Sequence, residues 1–208
     1  SVLRLCVNSA LKAADDEHEV IIVDDASSRD EISEFLTRCT ASGLDNLKVL
    51  RNAENCGVSY SLNKAAENAT GVLYAPVDHD DMLVTQGFRY MLRYQNYYGI
   101  NWAYSNETQI NYKGIPINFM HKPQYDVQLL RSVMYINHLQ LIPSELFETV
   151  AGYREGFEGS QDHDLALRMS EHIAPNHVNT VAYLWRRYAE TQSVTSGQIA
   201  DISIEASR

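Results

Sequence analysis

Two apolar runs end abruptly in carboxylates: "EVIIVDD" at residues 19–25 and "GVLYAPVDHDD" at residues 71–81. A short, continuous, β-branched run with no polar alternation suits a strand covered on both faces, as in a parallel sheet between helices. The segments around them carry helical spacing. Leu3, Cys6, Val7, Ala10, Leu11 and Ala14 share one face of a predicted helix over residues 2–14. Ile32, Phe35, Leu36 and Cys39 mark a second helix, residues 58–69 a third and residues 85–95 a fourth. Further strands are predicted at 47–50, 72–77 and 102–104. Strand and helix therefore alternate to about residue 105, which predicts an α/β fold: a mostly parallel sheet flanked by helices, with right-handed crossovers. Ligands of such sheets bind outside the carboxyl ends of the strands, which is where these acids fall.

After Asn106 the pattern loosens. "NYKGIP" reads as a turn, 139–142 and 181–185 as strands, 144–150 and 164–171 as helices. No linker or repeat divides the 208 residues, so one domain is expected, with a regularly alternating half at 1–105 and a looser half at 106–208. The chain opens inside a helix where a sheet of this kind normally has a strand first, and it closes on a helical-looking "IADISIEASR". Both ends read as those of a piece of a longer protein. A formal net charge of −10 disfavours nucleic acid or an anionic membrane as partner and suits a cation site. Three scattered cysteines build neither a disulfide framework nor a zinc site, and no apolar run approaches the ~20 residues of a membrane span. A cytoplasmic setting, with membrane association only through an acceptor or the rest of a longer chain, is the expectation.

The carboxylates of Asp78, Asp80 and Asp81 repel one another unless a cation joins them, and His79 between them is read as pointing away by alternation along the chain. Oxygen ligands favour Mg²⁺ or Mn²⁺, with waters and a substrate phosphate completing the shell. A D-x-D near a turn can place one carboxylate on the metal and the other on a ribose or diphosphate. The alternative is that Asp80 and Asp81 cap the following helix, a role read most readily for Asp81. Asp24 and Asp25 at the other strand end read as nucleotide contacts or as a helix cap near Glu31.

"EVIIVDDASS", "RNAENCGVSYSLNKAAENATG", "LYAPVDHDDML", "AYSNETQIN", "HKPQYDVQLLRSVMYINHL", "AGYREGFEGSQDHDLALRM" and "AYLWRR" occur in this order. Together they resemble family 2 glycosyltransferases of the GT-A fold, in the bacterial polysaccharide-type branch. The resemblance implies transfer of a sugar from a nucleotide-diphosphate donor, most commonly a uridine diphosphate sugar, to an acceptor hydroxyl of a carbohydrate or glycolipid, with inversion. It implies that Asp25, with Asp24 beside it, contacts base or ribose, and that Asn55, Gly57 and Asn63 lie in the block lining the nucleotide pocket. By the same resemblance Asp78 faces ribose or diphosphate, Asp80 holds the metal, and Asp162 is the catalytic base. His138 would lie near the transferred or accepting sugar, and Arg186 would balance diphosphate charge. Bland readings stay open for several: Gly57 as a helix-start glycine, His138 as a hydrogen-bonded structural histidine, Arg186 as a surface arginine. Asp162 and Asp164 both suit a helix N-terminus, and only the resemblance separates them.

The chain departs from the pattern in two blocks. Asn106-Glu107-Thr108 stands where paired aspartates are usual, and Leu184 where a histidine usually precedes Trp185. If that histidine helps to hold the metal, binding here is weaker. A receiver-type signalling domain also uses strand-end aspartates and a metal, with Lys122 as its lysine, but it leaves everything after Pro123 unexplained. A non-catalytic sugar-nucleotide-binding module of a larger enzyme is the other alternative.

Overall fold

The computed structural model describes residues 1–15 and 17–188; the closing "IADISIEASR" lies outside them. Helices α1 (Val2–Ala13), α2 (Asp30–Ala41), α3 (Val58–Glu67) and α4 (Thr85–Tyr98) alternate with strands β1 (Val20–Asp24), β2 (Leu47–Arg51), β3 (Leu73–Tyr74) and β4 (Met82–Leu83). Then come β5 (Ala103–Ile110), β6 (Pro116–Met120), α5 (Val127–Ser132), β7 (Gln140–Pro143), α6 (Ser144–Thr149), α7 (Gln161–Ser170) and β8 (Asn176–Arg186).

β1 and β2 form a parallel pair, Val20 opposite Leu47 through Asp24 opposite Arg51. The other strands run in the order β3-β7-β5-β8-β4, with β6 on β5. β5 lies parallel to β8, while β3–β7, β5–β7, β5–β6 and β4–β8 are antiparallel. The α/β class therefore stands, with a mixed sheet: the parallel arrangement holds for β1/β2 and β5/β8. The β1 run is only half-buried up to Asp24, because its edge away from β2 carries no strand among the described residues.

Three elements have no counterpart in the sequence reading. β4 is two residues long, and β6 ("PINFM") is exposed throughout and so shows no alternation. α5 starts on Asp126, whose carboxylate accepts from the Gln128 and Leu129 amides at 2.7 and 3.1 Å, an N-cap visible in "YDVQLL". The third predicted strand shrinks to Leu73–Tyr74 because the chain leaves the sheet to form the acidic turn. No described helix is long and apolar enough to cross a membrane.

Two cores lie against the larger sheet. One gathers Trp102, Tyr104, Leu130, Ile142 and Phe147 with Leu165 and Met169 of α7. The other packs Phe88 and Met91 of α4 on Leu141, Ala182 and Tyr183. α4 approaches β8 through Gly87, where an added Cβ would stand 1.8 Å from the Val181 carbonyl oxygen. Backbone cannot yield as a flexible side chain can, so Gly87→Ala is expected to lower stability by about 3 kcal/mol. In a chain of this size that is roughly 2–4 °C of melting temperature per kcal/mol. Ala at Gly43, whose Cβ would meet nothing within 4 Å, carries only its positive-φ strain and should cost less in the same thermal melt.

Candidate active site

The acidic turn is tied down from behind. The Asp81 amide donates to the Asp78 carbonyl at 3.1 Å, and the Asp78 amide donates to the Tyr183 hydroxyl at 3.0 Å. Arg186, at the end of β8, laces the same turn: its amide donates to Asp81 Oδ1 at 2.6 Å and its Nε to the Asp80 carbonyl at 2.7 Å. Its Nη1 reaches the carbonyls of Asn111 and Tyr112. Arg186 is thus buried, with its charge turned to backbone oxygens.

The three aspartates of the turn differ. Asp81 is 1% exposed, and burial, opposed by the Arg186 amide but reinforced by Asp78, pushes its pKa up to about 7. It is not a helix-end acid: α4 starts at Thr85 with no acid in its first turn. Asp78 opens its carboxylate to solvent, 58% exposed. Asp80 is half-buried, with the Tyr188 hydroxyl bonded to its carboxylate.

His138 stands between carboxylates. Its Nε2 lies 3.5 Å from Asp78 and its Nδ1 3.5 Å from Glu107, and its ring stacks on Tyr183 at 4.8 Å. Burial opposes a charged ring, but the two acids outweigh it and lift the pKa to about 10. Glu107 continues the row: it accepts the His138 amide at 2.8 Å and pairs with Lys122 at 3.3 Å, and Lys122 donates to the His138 carbonyl at 2.6 Å. Glu107 and Lys122 are both buried. Burial lowers the Lys122 pKa to about 8 against the pull of Glu107.

Asp162 begins α7 and lines one pocket with Asp78, Asn137, His138, Gln140 and Tyr153. Burial first, then the charge of Asp78, raises its pKa to about 6, while His138 and hydrogen bonds from Asn137 and Tyr153 restrain the rise. Asp164, two residues on, points elsewhere: it pairs with Arg154 and, at 2.8 Å, with Arg168. Phe157 lies under the Arg154 guanidinium, 4.6 Å from ring centre to cation.

The nucleotide-side residues are placed differently. Asp25 accepts from the Asn52 side chain at 2.7 Å, the Cys56 amide at 2.8 Å and the Gly57 amide at 2.9 Å. Burial would raise its pKa, but these donors hold it below the usual carboxylate range. Asp24 accepts the Ser27 amide and pairs with Arg51 at 3.1 Å. Both acids thus shape the loop between β2 and α3 and the turn after β1. Gly57 takes φ +90° at the start of α3, and Asn55 is exposed on the same loop. Asn63 clamps Tyr153: it donates to the Tyr153 carbonyl at 2.8 Å and accepts the Tyr153 amide at 2.9 Å, so its amide holds the loop before α7.

In the sequence Glu107 stands out only as part of the block that departs from paired aspartates and Lys122 only as a receiver-type lysine, while Tyr153 and Asn137 give no signal, since nothing local to them marks a site 15 to 90 residues away. For a cation, Asp78, Asp81 and His138 each bring one ligand-type atom within 4.8 Å of the others among the described residues. Asp80 is outside that group and next to it in the turn. The oxygen-rich set fits a hard divalent cation. His138, proton-bound between two acids, could join only after giving up that proton.

A family model described as "Glycosyl transferase family 2" matches residues 1–150. Among curated relatives, "Uncharacterized protein y4gI" of Sinorhizobium fredii is 30% identical over 81% of this chain and 19% of its own length. "O-antigen biosynthesis protein RfbC" of Myxococcus xanthus is 28% identical over 81% of this chain and 13% of its own. "Chondroitin synthase" of Escherichia coli is 25% identical over 91% and 27%. The chain thus spans less than a third of the length of these relatives. Among solved structures, S. aureus TarS 1-349 superimposes with a TM-score of 0.72 at 18% identity, covering 89% of this chain and 57% of that one. The same protein in complex with UDP-GlcNAc gives 0.68 at 19%, covering 92% and 57%. GalNAc-T7 with UDP, GalNAc and Mn2+ gives 0.69 at 15%, covering 89% and 41%. These neighbours share the GT-A fold. With a family model matched over residues 1–150, across both acidic strand ends and every strand from β1 to β7, this chain belongs to glycosyl transferase family 2.

Proposed function

We propose that this chain transfers a sugar from a nucleotide-diphosphate donor to an acceptor hydroxyl, with inversion, in the synthesis of a bacterial surface polysaccharide. One observation carries the reading: a half-buried carboxylate of raised pKa, Asp162, shares a pocket with the open carboxylate of Asp78. The names of the O-antigen and chondroitin relatives support a polysaccharide product, and the UDP-GlcNAc held by TarS supports a uridine diphosphate sugar as donor. In this reading residues 1–105 hold the nucleotide and 106–208 supply the base and the acceptor side of one catalytic domain, part of a longer protein working at the cytoplasmic side.

Asp162 takes the proton of the acceptor hydroxyl as its oxygen bonds to the sugar carbon. The bond from that carbon to the donor diphosphate breaks, and the electron pair leaves with the nucleoside diphosphate. An ordinary carboxylate is a weak base, and burial improves it by raising its pKa towards the working pH. His138⁺, beside Asp78, adds positive charge next to the diphosphate path, and Arg186 adds its charge from behind the turn. Mn²⁺ or Mg²⁺, held by Asp80 with Asp78 beside it, would neutralise the charge gathering on the departing diphosphate. The Mn2+ of GalNAc-T7 supports this choice of cation.

Calorimetry should show Asp80→Asn losing Mn²⁺-assisted UDP binding while its melting temperature holds; unchanged binding would remove Asp80 from the cation site. Asp162→Asn should bind UDP and Mn²⁺ normally yet lose about 10²–10⁴-fold in transfer, or ~3–5 kcal/mol of barrier. Asp164→Asn should keep transfer but melt lower, by about 1–3 kcal/mol for the lost arginine pairs. Near-normal turnover in Asp162→Asn with a folded, dead Asp164→Asn would exchange the roles. The base works deprotonated, so kcat/KM should fall about tenfold per pH unit below pH about 6. A limb near pH 4 would mean that the base is an unburied acid. Hydrolysis of a UDP-sugar by the isolated chain with Mn²⁺ would count against a purely binding module.

A further inference from the structure

Behind Asp162 lies a row of side chains with no other evident work. Trp102 is fully buried, and its indole Nε1 donates to Gln140 Oε1 at 2.8 Å. Gln140 is also buried, and its Nε2 donates to Asn137 Oδ1. Asn137 and Gln140 line the pocket of Asp162.

An amide side chain can in principle be turned end for end, exchanging donor for acceptor. Here it cannot, because an indole N–H only donates. Gln140 must therefore show Trp102 its oxygen, which turns its NH2 towards Asn137. Asn137 must answer with its oxygen, which leaves its own NH2 as the group available to the pocket. The sense of every bond in the row follows from one buried tryptophan 60 residues before the aspartate it serves. A row of the opposite sense would present an amide oxygen to Asp162, which repels a carboxylate and favours the protonated acid.

We propose that Trp102, Gln140 and Asn137 are positioning residues for Asp162: a donor-only indole sets the direction of two amides so that Asn137 always offers N–H to the base. The inference rests on the reading of Asp162 as general base. Tyr153, held by Asn63, supplies a second donor to the same carboxylate. The acid is thereby kept ionised in a site where burial and Asp78 both press it towards protonation. Fixed donors also hold its orientation, which matters because a base must meet the acceptor hydroxyl at hydrogen-bond distance.

The test releases the direction of the row without adding charge to the site. Trp102→Phe takes away the donor that directs the row and adds no charge, so Gln140 and Asn137 are free to turn and Asn137 can show its oxygen to Asp162. Asn137→Leu removes the donor outright at a half-buried position and serves if the first variant does not fold. Carboxyl-carbon NMR of ¹³C-aspartate-labelled protein, with Asp162 assigned from Asp162→Asn, reads the base directly and needs no acceptor. Both variants should titrate Asp162 about one pH unit higher than the unsubstituted chain. In a transfer assay this becomes a several-fold loss near pH 6 that shrinks to within about twofold near pH 9, with UDP affinity unchanged. A merely structural role would instead lower transfer equally at all pH values. An Asp162 titration identical in all three proteins overturns the inference, even while Asp162→Asn is inactive. Full transfer by Asp162→Asn overturns the base reading itself, and with it any base for the row to position.

Discussion

Asp78, His138, Glu107 and Lys122 alternate in sign from the pocket inward, at 3.5, 3.5 and 3.3 Å. Everything else at the site depends on that alternation. Removing Glu107 would leave Lys122 buried and uncompensated, which costs several kcal/mol for a buried charge. Backbone bonds strengthen the arrangement: Glu107 accepts the amide of His138 and Lys122 donates to its carbonyl, so the charges also hold the peptide that presents the ring. The bulged register between β5 and β8 falls at Ser105–Glu107, where β5 passes from β7 to β6. A bulge there re-aims a side chain, and Glu107 points at His138 rather than into the next pair of the ladder.

The acids of the site divide into those that build it and those open to a ligand. Asp24, Asp25, Asp81 and Asp164 are bonded to amides or arginines and shape loops, turn and helix end. Asp78 and Asp162 line the pocket, and Asp80 lies beside Asp78 in the turn, with the Tyr188 hydroxyl on its carboxylate. Sharing of this kind explains a carboxylate-rich strand end in a folded chain without strong repulsion, because donors within the protein answer much of the charge.

The alternation of runs at 19–24, 47–50 and 72–77 with helical spacing between them made the first half of the fold legible, and the "DDASS" and "VDHDDML" strand ends marked the edge where the proposed site lies. Asp162 and His138 could be named only by resemblance to a family, since one carboxylate at a helix start looks like the next. Asp81 misled, because a carboxylate just before a helix resembles a cap, whereas an Arg186 amide 105 residues away takes it. The antiparallel partners of β7 and β8 were hidden for a similar reason: strand direction depends on where the chain returns, and short half-exposed strands such as β4 and β6 carry no period of their own.

What the sequence by itself determined is local: which segments are helix or strand, and where carboxylates gather. Those follow from side-chain period and backbone freedom within a few residues. Tertiary structure alone decided which acids are bonded away and which stay open, that His138 lies between two carboxylates, and that a tryptophan sets the sense of the amides behind Asp162. Each of those depends on the distance, burial and donor direction of groups brought together from 30 to 105 residues apart, and the energy of a charge or hydrogen bond is set by that environment and not by the residue that carries it.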